Sequence, residues 1–322
     1  MIYIDVDEKV DSGWNDRLSK SELGTIYQTA EWGYVSEYLG WKPIFLRFID
    51  EKGEIIGQLL ISVTPRFNKK TTKYNLLRNL PLVENKIYRW SYGPVVFKSE
   101  YISDIYKILT DYLQKKKCKV WGMQNPLSPF TDSLEKNFDL QKWSTFVIDL
   151  RDSKKNLYDK LTKNSCQKNI ERSNNRGVKI VEITESNFHL YYELYNATKK
   201  NMGGEPSSDT ELLDAWKILK PAGHKGFLAM KDETAVGGLF FSYFNGYIIE
   251  SGVARSEVDY ANKLYSQDLI KWKIIEWGVD NKMNYYDLTG VNPEPQSEKE
   301  KGIFRYKEKW GGKKCDYWII KK

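Results

Sequence analysis

The sequence predicts an α/β protein built from two domains of one type, and three observations carry that prediction. At 322 residues, with 41% hydrophobic and 14% aromatic content, the chain can bury two ordinary cores, and disorder is excluded as its class. One pattern occurs once in each half: hairpin, further strand-like sequence, amphipathic helix, and a strand ending near proline. Between the two copies, the apolar run Phe146-Val147-Ile148-Asp149-Leu150 gives way to a helix, which marks a boundary.

In the first half, Phe45-Leu46 leads through Asp50-Glu51-Lys52-Gly53 to Gly57-Gln58-Leu59 and Ser62. In the second, Phe227-Leu228 leads through Lys231-Asp232-Glu233-Thr234 to Gly237-Gly238-Leu239 and Ser242. Apolar strand, polar turn, apolar strand is the mark of a β-hairpin. Helices follow at residues 105–114 and 264–281, and strands at 119–126 and 284–293. The later helix presents Leu269, Ile270, Trp272, Ile274, Ile275 and Trp277, the broad apolar stripe of a helix laid on a sheet. After the boundary run, Ser153 is placed to cap a helix whose Leu157 and Leu161 share a face, and Gly177 to end the helical region. The division is expected at 1–148 and 149–322, with the C-terminal segment packing back at the interdomain cleft.

Charge and rare residues narrow the function classes. A net charge of +7 fits an anionic partner or a solvated lysine-rich surface equally well. Cys118, Cys166 and Cys315 lie far apart, which argues against a disulfide framework. Two histidines, His189 and His224, exclude a histidine-rich metal site, and neither sits in a motif suited to a Ser-His-Asp arrangement. The acidic start lacks the apolar core of a signal peptide, and no apolar run reaches membrane-spanning length. The expectation is a soluble, cytoplasmic monomer.

The last forty residues carry most of the chemistry. A strand, Asn284-Tyr285-Tyr286-Asp287-Leu288-Thr289-Gly290, ends in a carboxylate and a glycine. After a charged loop comes Phe304-Arg305-Tyr306-Lys307-Glu308-Lys309-Trp310-Gly311-Gly312. Strand ends in open α/β sheets are where ligands usually bind. The Tyr-Lys-x-x-Trp-Gly-Gly run resembles the closing Phe-Lys-x-x-Phe-Gly signature of the FemABX proteins. Four further segments resemble elements of that family in the same order. They are Gln28-Thr29-Ala30-Glu31-Trp32, Tyr92-Gly93-Pro94-Val95, the basic stretch from Leu161 to Arg176-Gly177-Val178, and Tyr286-Asp287-Leu288-Thr289-Gly290. Family members move amino acids from aminoacyl-tRNA onto peptidoglycan precursors. The resemblance implies two tandem GNAT-like domains, with mixed β-sheets flanked by helices. Residues 185–225 leave room only for short helices, so no long coiled-coil arm is expected.

Site residues follow partly from chemistry and partly from the resemblance. Attack of an amine on an acyl ester builds negative charge on the carbonyl oxygen, which a fixed cation stabilises. The resemblance gives that role to Lys307, with Tyr306 supporting it; a surface lysine beside core aromatics is the bland alternative. Asp287 could take the proton of the attacking amine, or fix Thr289 or a nearby amide by hydrogen bonding, and the structural role is preferred. Gln28, Trp32 and Tyr92 are placed by the resemblance around the precursor in the first domain, with core packing as the other reading of the aromatics. Thr289 and Arg305 join the substrate-binding set. Lys200 stands near a position where the family commonly has arginine, and loses that residue's planar fork. Lys160, Lys163, Lys168, Arg172 and Arg176 form a row that could track the phosphates of a tRNA or simply be a solvated face.

One absence matters for the donor. Acetyl-CoA enzymes of this fold hold the pyrophosphate on a glycine-rich loop at a helix N-terminus. Here the equivalent stretch, residues 254–263, has no glycine and two carboxylates, Glu257 and Asp259. The resemblance therefore implies aminoacyl-tRNA as donor and a nucleotide- or lipid-linked muropeptide as acceptor, with room for peripheral membrane contact. No metal and no organic cofactor is implied. The rivals are an N-acyltransferase using acyl-CoA or acyl carrier protein, and a non-catalytic module binding glycans or nucleotides.

Overall fold

A computed structural model describes residues 2–65, 86–116, 118–129 and 138–322. The chain divides into two compact units, Met1–Trp143 with Asp316–Lys322, and Ser144–Cys315. The expected division at 148/149 thus falls five residues inside the second unit, and the last seven residues group with the first.

The first unit runs β1 (Tyr3–Asp7), α1 (Trp14–Ser19), α2 (Ala30–Tyr38), β2 (Lys42–Ile49), β3 (Ile55–Pro65), β4 (Lys86–Trp90), β5 (Val95–Val96), α3 (Ile102–Lys115) and β6 (Lys119–Met123). Its strands are ordered β1-β2-β3-β4-β6, with β5 beside β3. The β2–β3 hairpin closes because Asp50 Oδ1 accepts the amides of Lys52 and Glu54, both at 2.9 Å, while Gly53 takes φ +80°. β4 and β6 pair in parallel, so the chain must cross over between them, and α3 makes that crossing. Ile105, Tyr106, Leu109 and Leu113 recur on one helical face and bury it on the sheet.

β7 (Asp139–Asp149) enters the second unit. It is followed by α4 (Lys154–Lys160), α5 (Lys168–Asn175), β8 (Val178–Glu182), α6 (Phe188–Asn201), α7 (Asp209–Gly223), β9 (His224–Lys231), β10 (Thr234–Phe244) and β11 (Tyr247–Arg255). Then come α8 (Glu257–Ala261), α9 (Ser266–Asp280), β12 (Tyr285–Asp287), α10 (Glu298–Glu308) and β13 (Lys313–Lys321). Sheet order here is β7-β12-β11-β10-β9-β8. β11 and β12 are parallel, joined across the sheet by α9; Leu269, Ile270, Ile274 and Ile275 are its buried apolar face. The end of β13 pairs antiparallel with β6, Ile319 opposite Met123. Between 185 and 225 the helices are α6 and α7 alone, 14 and 15 residues long. Among the described residues no helix is long and apolar enough to cross a membrane.

Three local expectations change. The helical region 161–178 is broken: α4 ends with Leu161 in an extended conformation, a π turn spans Lys163–Gln167, and α5 follows. The strand expected over 284–293 is only three residues long, because Thr289 turns the chain with φ +62°. The charged loop before the tail motif is half helix. Ser297 and Glu300 form a capping box, so α10 starts at Glu298 and carries Lys307 in its last turn.

Candidate active site

Lys307 faces the turn that ends β12. Its ammonium donates to the carbonyls of Thr289 (3.1 Å) and Gly290 (3.2 Å) and to the Thr289 hydroxyl (3.3 Å). Burial pushes Lys307 below its ordinary pKa; Glu250 opposes that shift, Lys271 adds to it and Asp287 opposes it. All three ammonium protons have an acceptor, so a bound oxyanion must displace one, and the long contact to the Thr289 hydroxyl is the weakest.

The turn itself is held by Asp287, which is fully buried. Its Oδ1 accepts the Thr289 amide at 2.7 Å and lies 2.5 Å from the Thr145 hydroxyl, while Oδ2 accepts the Tyr247 hydroxyl at 2.9 Å. A carboxylate two residues ahead of the amide it accepts closes an Asx turn. That contact holds a β-branched residue in the left-handed region, where such residues are outliers. Without exposure and with three donors already on it, Asp287 has no open geometry toward an attacking amine.

Behind Lys307 lies a polar network that sequence reading did not identify. Lys271 of α9 pairs with Glu250 of β11, side chains 2% and 5% exposed, and Tyr286 donates to the same carboxylate at 2.9 Å. Lys309 pairs with Asp268, 11% and 7% exposed. The Tyr306 ring lies near both cations, its centroid 4.3 Å from the Lys309 ammonium and 5.7 Å from that of Lys271. Among the described residues the buried Tyr306 hydroxyl has no hydrogen-bond partner, and burial raises its pKa well above the ordinary value. In sequence, Asp268 is a charge just ahead of the apolar stripe of α9 and Lys271 a charge within it.

The structure thus brings Lys307, Thr289 and Asp287 together, with Tyr306 turned toward the ion pairs. Arg305 is 70% exposed, with the Glu298 carboxylate at 3.9 Å. Lys200 lies in a different part of the unit, in an open groove of about 590 Å³ that Leu190, Leu194, Glu193, Glu233, Arg255 and Glu257 also line. Arg255 is tied to the buried Asp259, so three carboxylates against one lysine make the groove unfavourable for a phosphate. The basic row is dispersed over three segments. Lys160 bonds to Asp152 at 2.8 Å, and the guanidinium groups of Arg172 and Arg176 lie 5.8 and 5.6 Å from the Tyr265 ring.

In the first unit, Gln28 is a buried brace. Its amide donates to the Ser91 carbonyl and accepts from the Leu60 amide, both at 2.8 Å. Tyr27 meets Trp32 and Tyr92 edge-on, at 4.6 and 5.4 Å between centroids. Tyr92 is buried and Trp32 half-buried, so only Trp32 of the three predicted ligand contacts keeps appreciable surface. Among the described residues, no group of His, Cys, Asp and Glu is arranged to hold a metal ion.

Neither a family model nor a curated protein matches the sequence. Solved structures do match in fold. The chain is similar to FemX, with a TM-score of 0.74 at 11% identity over 98% of this chain and 97% of that one. It is also similar to the tandem GNAT protein from the clavulanic acid biosynthesis pathway (TM-score 0.56, 11% identity, 100% and 98% covered). L-PGS from Bacillus licheniformis gives a TM-score of 0.56 at 11% identity, with 98% and 92% covered. Likeness at such identity concerns the fold, and it agrees with the resemblance that the ordered motifs carry: the chain has the GNAT-like fold of FemX.

Proposed function

We propose that this protein is a FemABX-type aminoacyltransferase. It moves an aminoacyl group from aminoacyl-tRNA to an amine of a peptidoglycan or related cell-envelope precursor, without metal or organic cofactor. The observation that carries the reading is the Lys307 ammonium, desolvated and aimed at the strained turn ending β12, within a FemX-like fold. As the amine attacks the ester, charge on the carbonyl oxygen is met by Lys307, which gives up its contact with the Thr289 hydroxyl. Thr289 supports that lysine, Tyr306 acts through the ion pairs beside it, and Asp287 holds the turn. Because Asp287 is enclosed, the amine's proton leaves to solvent or to the departing ribose oxygen.

An aminoacyl ester is favoured over acyl-CoA by the start of α8. Glu257 and Asp259 occupy its first turn, and Arg255 is already paired with Asp259 there. A pyrophosphate would meet carboxylates where it needs open amides.

The test is a transfer assay with radiolabelled aminoacyl-tRNAs and nucleotide-linked muropeptide, read by product mass. A gain of one amino-acid residue, abolished in Lys307→Ala while precursor binding persists, supports the proposal. Unimpaired transfer by that variant removes Lys307 from the mechanism. No transfer by the wild type moves the donor to acyl-CoA, and no turnover with any donor leaves a binding module.

A further inference from the structure

The geometry points to the Asp268–Lys309 pair as the positioning element of the site: it fixes the rotation of α10 and so holds Lys307 on the Thr289–Gly290 turn. This rests on the proposed role of Lys307. α10 has no buried residue of its own, so the apolar packing that fixes most helices is thin here. Phe304 contributes an edge contact to Phe146 at 5.2 Å, and Trp310 follows the helix. Glu300 accepts from Asn292 at 3.0 Å at the start of the helix, and Lys307 itself holds the turn after β12; at the C-terminal end the ties converge on Lys309. Its ammonium reaches Asp268, which also accepts from Asn169 at 3.5 Å, and its carbonyl accepts the Thr162 amide at 3.1 Å and hydroxyl at 3.2 Å.

The pair is also placed to suit both helices. Lys309 caps the C-terminus of α10, and Asp268 lies in the first turn of α9, so each charge faces the helix end of opposite partial charge. Lys307 and Lys309 are two residues apart and reach different partners, the turn after β12 and the first turn of α9. Losing the Asp268 tie frees the helix to roll and Lys307 to leave its acceptors.

The test uses the full chain and trace acetic anhydride at neutral pH, with labelling of Lys307 measured by peptide mass against exposed lysines of the same molecule. The informative variant is the double substitution Asp268→Leu with Lys309→Met, because replacing both partners of a buried ion pair by apolar groups tends to preserve stability. A five- to tenfold rise in Lys307 labelling, about the weight of one lost hydrogen bond, is expected with folding retained. Unchanged labelling in the folded variant overturns the inference. Should the double variant not fold, Asp268→Asn keeps the shape and removes the charge; a rise in its labelling supports the inference and unchanged labelling overturns it. Labelling needs no substrate. A wild type that transfers nothing therefore sinks the proposed function alone, whereas unchanged labelling beside active transfer sinks the positioning role alone.

Discussion

Removing Asp287 separates its structural account from a catalytic one. In Asp287→Ala, three donors lose this acceptor: the Thr289 amide, the Tyr247 hydroxyl and the Thr145 hydroxyl. Thr145 has a second acceptor in the Thr289 carbonyl at 2.8 Å, so its share of the loss is small. At about 1–3 kcal/mol for each buried bond lost in this way, the cost is about 2–6 kcal/mol, the lower end applying if water fills the vacated volume. For a unit of this size that lowers the melting temperature by roughly 5–20 °C. Asp287→Asn is milder. Its carbonyl keeps the Thr289 amide, its NH2 can donate to the Tyr247 hydroxyl, and the cost falls to about 1–2 kcal/mol. Differential scanning calorimetry and the transfer assay, run on the same samples, decide the matter. On the structural account, Asp287→Asn keeps substantial transfer and Asp287→Ala loses stability and transfer together. An Asp287→Asn protein that melts like the wild type yet transfers nothing would refute it, and an unchanged melting temperature in Asp287→Ala would refute the hydrogen-bond reckoning.

Further outcomes follow from buried charge, close approach and titration. Lys271→Met leaves the buried Glu250 without its counter-ion, Tyr286 still donating to it, and should cost about 3–5 kcal/mol; adding Glu250→Leu should restore most of that, and urea unfolding of both variants checks it. Gly312→Ala would place a Cβ 3.0 Å from the Val147 carbonyl carbon and oxygen, backbone atoms that yield little, so about 1–3 kcal/mol should be lost on the same assay. Burial lowers the pKa of His224 from 6.5 to about 4, so the unfolded chain takes up the proton first as pH falls. Its contribution is therefore present above pH 6.5 and lost on the way down to about 4, by about 1–3 kcal/mol for this half-buried ring. Melting curves across that window should flatten in His224→Asn, and an equal slope in both proteins rules the imidazole out.

The elements were legible where local physics alone sets them. The Asp50 and Gly53 turn, the Ser153 cap and the apolar face of α9 each depend on residues within a turn or two of one another, and a single sequence displays those. The network behind Lys307 does not have that property. Lys271 finds Glu250 across 21 positions and Lys309 finds Asp268 across 41, so in sequence each is one more charged residue on a lysine-rich chain. Motif resemblance is limited in another way. It singled out Gln28 and Tyr92, yet both are buried. A glutamine bracing two backbone segments and a glutamine reading a substrate are the same residue type, and only the occupied state of its amide tells them apart.

The tail motif shows how packing and chemistry share one segment. Gly311 takes φ +72° with its Cβ position 3.1 Å from the Lys160 carbonyl, and Gly312 passes 3.0 Å from the Val147 backbone. The diglycine is therefore a demand of close approach, satisfied by the absence of side chains. Upstream of it, successive residues of an α-helix turn by about 100°, so Lys307 and Lys309 are about 200° apart and cannot serve one face. One lysine can meet the turn after β12 only while the other holds the opposite side of the helix. The spacing of the motif then encodes a clamp as well as a charge. Lysine at both 307 and 309 is worth more than lysine at either, and a double-mutant cycle on the two positions should show coupling in transfer beyond about 0.5 kcal/mol. Strict additivity would mean that α10 keeps its place without Lys309.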